Sequence, residues 1–205
     1  PYMISYTQKQ AGFEVTNYET ILDVEMKTKT YYFANKLKKD LVIQGKKEVV
    51  LADTAVKLMS KLHQIYSGTV KFESGNSQVL DYTKAEFINE KFNTNKIGIF
   101  YKFKEEYNAV KKIYKDKLTN DLDQFNSSDK SIALQIVSGR EGISLKLADF
   151  LVYYNIDFSA TSYWQSKDRM TTKQTKTNHI YWVFSKGGIE KKIYNVVEKK
   201  KKYTT

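Results

Sequence analysis

Apolar positions change their spacing along this chain, and each change of period marks an element. Leu51, Ala55, Leu58, Met59, Leu62 and Ile65 recur every three or four residues, which predicts a helix over 51–66 with one apolar stripe. His63 lies beside that stripe and reads as a packing histidine. A second helical pattern runs from Thr30 to Val42, with Tyr31, Tyr32, Phe33 and Leu37 toward a core and Lys36, Lys38 and Lys39 in water. Upstream, Ile4, Tyr6, Phe13, Val15 and Tyr18 come near strand alternation within 3–25. Thr69 to Phe72 and Gln78 to Leu80 flank Glu73-Ser74-Gly75-Asn76-Ser77 as strands flank a hairpin turn, and a helix is expected over 85–92.

Past residue 95 the pattern becomes strand, helix, strand. Lys96 to Lys104 has the length and apolarity of a strand, and Tyr107, Val110, Ile113 and Tyr114 then line a helix over 105–115. Asp121 to Asn126 suits a short acidic helix with Phe125 turned inward. Ile132 to Val137 is a partly β-branched run that should end as a strand at Ser138-Gly139, and Phe150 to Tyr154 reads as a second buried strand. Leu145, Leu147 and Ala148 leave room between them for a short helical crossover, so the two strands are expected to pair in parallel. Asn178 to Phe184 predicts a closing strand, and Ile189, Ile193, Val196 and Val197 one face of a terminal helix. The fold class is α/β, with a mainly parallel sheet, helices on both faces, and a mainly helical N-terminal insertion bearing a small β-hairpin.

Candidate chemistry gathers where the first of those two strands ends. Gly139 and Gly142 bracket Arg140 and Glu141, as in a turn that presents backbone N–H groups to an anion, at the edge where open α/β sheets bind ligands. An ordinary strand-to-helix turn would use the same glycines. Asn155 to Ser159 follows as a loop, and a helix over 160–170 would present Gln165 and Arg169 four residues apart. A guanidinium fork suits phosphate oxygens, although surface arginines more often make ion pairs of little energetic consequence.

Gly142-Ile143-Ser144-Leu145, Ala148-Asp149, Gln165 and Arg169 together resemble the fifth and sixth motifs of superfamily two helicases, the Swi/Snf-like branch in particular. Lys96 to Lys104 resembles the fourth motif, and the likeness covers 96–197. Two departures stand out: Asp168 occupies a place the family usually gives to glycine, and Thr172 that of the arginine finger, with Lys173 and Lys176 as the nearby cations.

The resemblance implies a RecA-like second domain over 96–205, preceded over 1–95 by a lead-in segment and a helical protrusion with its hairpin. It implies the C-terminal motor half of a DNA-stimulated ATPase, a helicase or duplex translocase. Arg169 would be the catalytic contact to the γ-phosphate, and Glu141, Gly142, Ser144 and Gln165 would line the nucleotide beside it. Lys102, Ser138, Gly139 and Arg140 would touch the nucleic-acid backbone. ATP would arrive with Mg2+ held mainly by an N-terminal RecA-like domain of the same protein. The chain has neither a Gly-x-x-x-x-Gly-Lys-Ser/Thr loop nor an Asp-Glu box and starts at Pro1 without Met, so it is expected to be a fragment that does not hydrolyse ATP alone. The alternative is a non-catalytic basic module that binds nucleic acid or protein and derives from a helicase fold, its finger lost at Thr172.

Composition narrows the partners. Thirty-four Lys and Arg against 23 Asp and Glu give a net charge of +11, which favours polyanions, with double-stranded DNA first among them. A solvated lysine surface gives the same count. Cysteine is absent, and His63 and His179 are far apart, so neither disulfides nor thiolate or histidine metal centres are expected. No tight carboxylate cluster suggests a nuclease. Without a membrane-length apolar run or a signal peptide, a cytoplasmic monomer is the expectation. The abundance of Lys and Tyr beside a single Pro hints at an AT-rich bacterial or phage genome.

Overall fold

A computed structural model describes residues 16–137, 143–159, 166–170 and 177–201. Its centre is a six-stranded sheet made by β1 (Thr16–Val24), β6 (Ile97–Tyr101), β7 (Leu118–Thr119), β8 (Ser131–Gln135), β9 (Phe150–Tyr153) and β10 (Thr177–Ser185). The strands lie in the order β1-β10-β9-β6-β8-β7, and every neighbouring pair is parallel. This is the RecA-like α/β arrangement expected from the sequence. One expectation needs correcting: β8 and β9 run parallel but do not pair, because β6 lies between them. Ile97, Gly98, Ile99 and Phe100 of β6 are all buried, and a strand apolar on both faces gains most at the centre of a sheet covered on both sides. From β6 the chain goes one way to β7 and β8, then returns to the other side as β9. The β6/β9 boundary is therefore the sheet's topological switch point.

Side-chain alternation divides the core. Phe100, Leu151, Tyr153, Ile180, Trp182 and Phe184 face one side, where the C-terminal helix α6 (Glu190–Lys201) adds Ile193 and Val197. Ile99, Ala133, Val152 and Val183 face the other, against helices α3 (Thr83–Lys91) and α4 (Lys104–Tyr114). The Tyr153 and Trp182 rings stack at 3.9 Å between centroids. Gly98 lets the chain come close: a Cβ there would lie 2.9 Å from Leu145 Cδ1 and 3.1 Å from Leu151 Cδ2.

A smaller third core joins α1 (Thr28–Asp40) and α2 (Ala55–Tyr66) to two antiparallel hairpins, β2 (Val42–Gln44) with β3 (Val49–Leu51) and β4 (Thr69–Lys71) with β5 (Ser77–Val79). The hairpin over 69–80 was expected, whereas the one over 42–51 was not. Leu51 belongs to β3, and α2 starts at Ala55 behind Thr54, whose hydroxyl accepts the Lys57 N–H at 3.2 Å. Three residues read as inward-facing are exposed instead: Tyr32, Met59 and Val196. The N-terminal ninety-five residues also contribute β1 to the main sheet, zipped to β10 along nine residues from Thr16 opposite Thr177 to Val24 opposite Ser185. Helix α5 (Leu122–Ser127) buries Phe125 as expected. Among the described residues no helix is long and apolar enough to cross a membrane.

Candidate functional site at the carboxyl edge of the sheet

Lys102-Phe103 follow strand β6, and α4 starts directly after them. The Lys102 and Phe103 N–H groups donate to Glu106 Oε2 at 2.7 and 3.0 Å, a helix-start carboxylate reaching back over the first turn. From the neighbouring end of β9, Asn155 Nδ2 donates to Glu106 Oε1 at 2.5 Å. Glu106 is fully buried, and burial pushes its carboxyl above the ordinary value against the pull of those three donors.

The other end of the Asn155 amide fixes a histidine. Asn155 Oδ1 accepts from Ile156 N at 2.8 Å and lies 2.6 Å from His63 Nε2. Turning the amide over would set the Ile156 N–H against its nitrogen and the Glu106 carboxylate against its oxygen, so the oxygen faces His63, and Nε2 bonds it by carrying the proton. His63 Nδ1 is buried with no hydrogen-bond partner among the described residues. The ring stands edge-on to Phe103 and Phe158, and burial lowers its pKa to about 4. The packing role expected of His63 is thus joined by a bond that ties α2 to the switch point. Beside it, the Lys102 ammonium pairs with Asp157 and lies 5.2 Å from the Phe158 ring centroid.

The loop after β8 and the segment bearing Arg169 meet on the face of the sheet. Leu145 is fully buried over Gly98, and its N–H donates to the Arg169 carbonyl at 2.8 Å. Ser144, next along, is exposed and Arg169 half-buried. Three further anchors hold residues 166–170: Ser166 Oγ lies 2.5 Å from the Tyr153 hydroxyl, Lys167 pairs with Glu19, and Met170 enters the core. Glu19 Oε2 also accepts from Trp182 Nε1 at 2.9 Å and the Tyr194 hydroxyl at 3.1 Å. One carboxylate on β1 thereby joins β10, α6 and the Arg169 segment. Asp149 serves at the opposite end of the sheet, where its carboxylate accepts the Lys96 N–H at 2.9 Å and its own N–H donates to the Lys96 carbonyl at 2.7 Å.

Of the residues singled out from sequence, Ser144 lies next along the chain from Leu145, whose N–H meets the Arg169 carbonyl, and Lys102 stands at the switch point. Ser138, Gly139, Arg140, Glu141, Gly142 and Gln165 lie outside the described residues, as does Thr172. Sequence reasoning missed Glu19, Glu106, Asn155 and Asp157. Asn155 and Asp157 follow directly on an apolar strand and Glu106 sits in a helix's first turn, which are signals within reach; nothing local marks Glu19. Among the described residues no three His, Asp or Glu side chains cluster as metal ligands.

No family model and no curated protein matches the chain. Solved structures do. It is similar to the C-terminal part of the Fun30 ATPase domain, with a TM-score of 0.62, 14% identity and 90% of each chain covered. It is similar to the Sulfolobus solfataricus SWI2/SNF2 ATPase core domain, at a TM-score of 0.59 and 16% identity over 89% of this chain. The same core in complex with double-stranded DNA matches at a TM-score of 0.56 and 16% identity, again over 89%. The chain spans 42% and 44% of those two Sulfolobus chains. At these identities the likeness establishes the fold, and the chain has the RecA-like α/β fold of a SWI2/SNF2 ATPase lobe.

Proposed function

We propose that this chain is the C-terminal motor half of a DNA-stimulated ATPase, a duplex translocase rather than a strand separator. The observation that carries the reading is the 2.8 Å bond from Leu145 N to the Arg169 carbonyl. It joins the backbone of the loop resembling the fifth helicase motif to that of the segment resembling the sixth. The fold shared with SWI2/SNF2 ATPase structures, one of them holding double-stranded DNA, supports the same reading.

A guanidinium and a hydroxyl both suit nucleotide phosphate oxygens. Arg169 would meet the γ-phosphate, Ser144 would hydrogen-bond the nucleotide, and Glu141, Gly142 and Gln165 would complete the surface. Bound ATP supplies the phosphoryl group. Mg2+ would be held mainly by a first RecA-like domain. This chain's part is to orient the phosphates, exclude water through its apolar floor and set positive charge where negative charge accumulates. Lys102, Ser138, Gly139 and Arg140 would grip the duplex backbone, contacts that position without reading sequence. Lys102, whose ammonium pairs with Asp157, would share that ammonium with a DNA phosphate.

The test is ATP hydrolysis by the full-length protein, with and without duplex DNA, compared with Arg169→Ala. Duplex-stimulated turnover that falls by roughly 10³ or more in the variant is expected. Turnover unaffected by the substitution would overturn the reading. A folded, duplex-binding protein without turnover would favour the non-catalytic module instead.

A further inference from the structure

The two small hairpins enclose a groove of about 520 Å³ on the side of the protrusion, within the size range of ligand sites. Its floor is apolar: Phe33 of α1, Ile65 of α2, and Ile43, Val50, Val70 and Phe72 from the hairpins. The hairpins are clasped together. Glu73 N donates to the Val49 carbonyl at 2.9 Å, and the Glu48 carboxylate accepts from Ser74 Oγ at 2.6 Å and Asn76 Nδ2 at 2.8 Å. The walls are therefore fixed before any ligand arrives.

The rim is basic. Lys29, Lys46 and Lys47 line the groove, all exposed, and none forms an ion pair with another described residue. Glu48 is the only carboxylate among the lining residues, and its two oxygens are already engaged by the opposite hairpin. Three cations against one hydrogen-bonded carboxylate leave the rim of this apolar slot net positive, which matches a ligand that carries both acidic and bulky apolar groups. Gln44 and Gln78, whose amides donate and accept, lie along the same walls, as an extended peptide backbone would require.

We propose that this groove is a docking site for an acidic peptide segment of a partner protein, with an aromatic or large aliphatic side chain seated on the floor and flanking carboxylates on Lys29, Lys46 and Lys47. The floor favours a peptide over nucleic acid. Single-stranded bases stack on open aromatic faces, whereas this floor is largely aliphatic and recessed, and the Lys29 ammonium lies 5.5 Å from the centroid of Phe33.

The experiment uses the whole chain and a short fluorescein-labelled peptide with one Phe between Asp and Glu residues, followed by fluorescence anisotropy. Replacing that Phe by Ser tests the floor. Lys46→Glu with Lys47→Glu tests the rim, and Gln78→Trp, at an exposed position, blocks the groove without disturbing the core. Each change should weaken the peptide by roughly tenfold or more. Duplex and single-stranded oligonucleotides should bind equally to wild type and Gln78→Trp. Binding indifferent to the Phe and to Gln78→Trp would show unspecific charge attraction and overturn the proposal. Loss of oligonucleotide rather than peptide binding in Gln78→Trp would overturn it in favour of nucleic acid. Circular dichroism confirms that each variant is folded.

Discussion

Lys84→Met should be among the most destabilising single changes in this chain. The Lys84 ammonium lies 2.8 Å from Glu190 Oε1 and 3.3 Å from the Tyr154 carbonyl, and both charged side chains have no exposed surface. Glu190 Oε1 is also 3.3 Å from the Ser185 N–H, while Oε2 has no partner among the described residues. Removing the ammonium leaves a buried carboxylate with one weak donor, a loss of about 3–5 kcal/mol. For a domain of this size that is a fall in Tm of roughly 6–20 °C. Glu190→Gln in the Lys84→Met background removes the orphaned charge and should recover at least half of the loss, because the penalty lies in the unpaired ion rather than in the missing bond. Acid should narrow the gap. Burial by itself would raise the Glu190 carboxyl, but Lys84 outweighs it and holds it below its ordinary 4.5. The wild type therefore keeps the pair's stabilisation above pH 4.5 and loses it as the pH falls through the lower folded value. In Lys84→Met the carboxyl takes up its proton early, and the deficit shrinks toward pH 4.5. The assay is urea denaturation followed by circular dichroism at several pH values. A single variant losing less than about 1 kcal/mol, or a double variant no better than the single, would refute the reasoning.

Two further outcomes follow from buried polar groups. His63 is neutral in the fold with a pKa of about 4, whereas the unfolded chain gains a proton below 6.5. Stability should therefore fall between pH 6.5 and 4, by about 3 kcal/mol at the acid end, and His63→Leu should flatten that slope in urea titrations. Equal slopes in the two proteins would count against it. Glu19→Gln weakens the hold on Lys167 while keeping an acceptor for Trp182 and Tyr194, so under the proposed function ATP turnover should fall several-fold at unchanged duplex affinity. Unchanged turnover would remove Glu19 as a positioning residue.

Local pattern made much of this molecule legible. Helix α4 announced itself because its apolar residues recur at helical spacing along one buried face, and strand β9 because it is a short continuous apolar run buried on both faces. The order of strands did not, because β6, β8 and β9 are each apolar on both faces, and no window of sequence displays which of them takes the place between the other two. Leu51 falls in register with Ala55 and Leu58 and so reads as helical, yet it belongs to β3, where its neighbour Val50 is the residue that enters the small core. At the candidate site, Ser144 and Arg169 were visible through family resemblance. Glu19 was invisible because its partners are 148 to 175 positions away in sequence.

The pairing of β1 with β10 gives the order of synthesis a consequence. Thr16 finds Thr177 and Val24 finds Ser185, so the partner strand is made roughly 160 residues later, a delay of about 8–30 s at ordinary ribosomal speed. Until then β1 is a nine-residue strand without its neighbour, a liability for mispairing with other nascent chains. Loop closure over so long a span also makes this edge a late event in folding. Glu19 sits on that strand, so the support of the Arg169 segment is among the last parts of the molecule to be assembled.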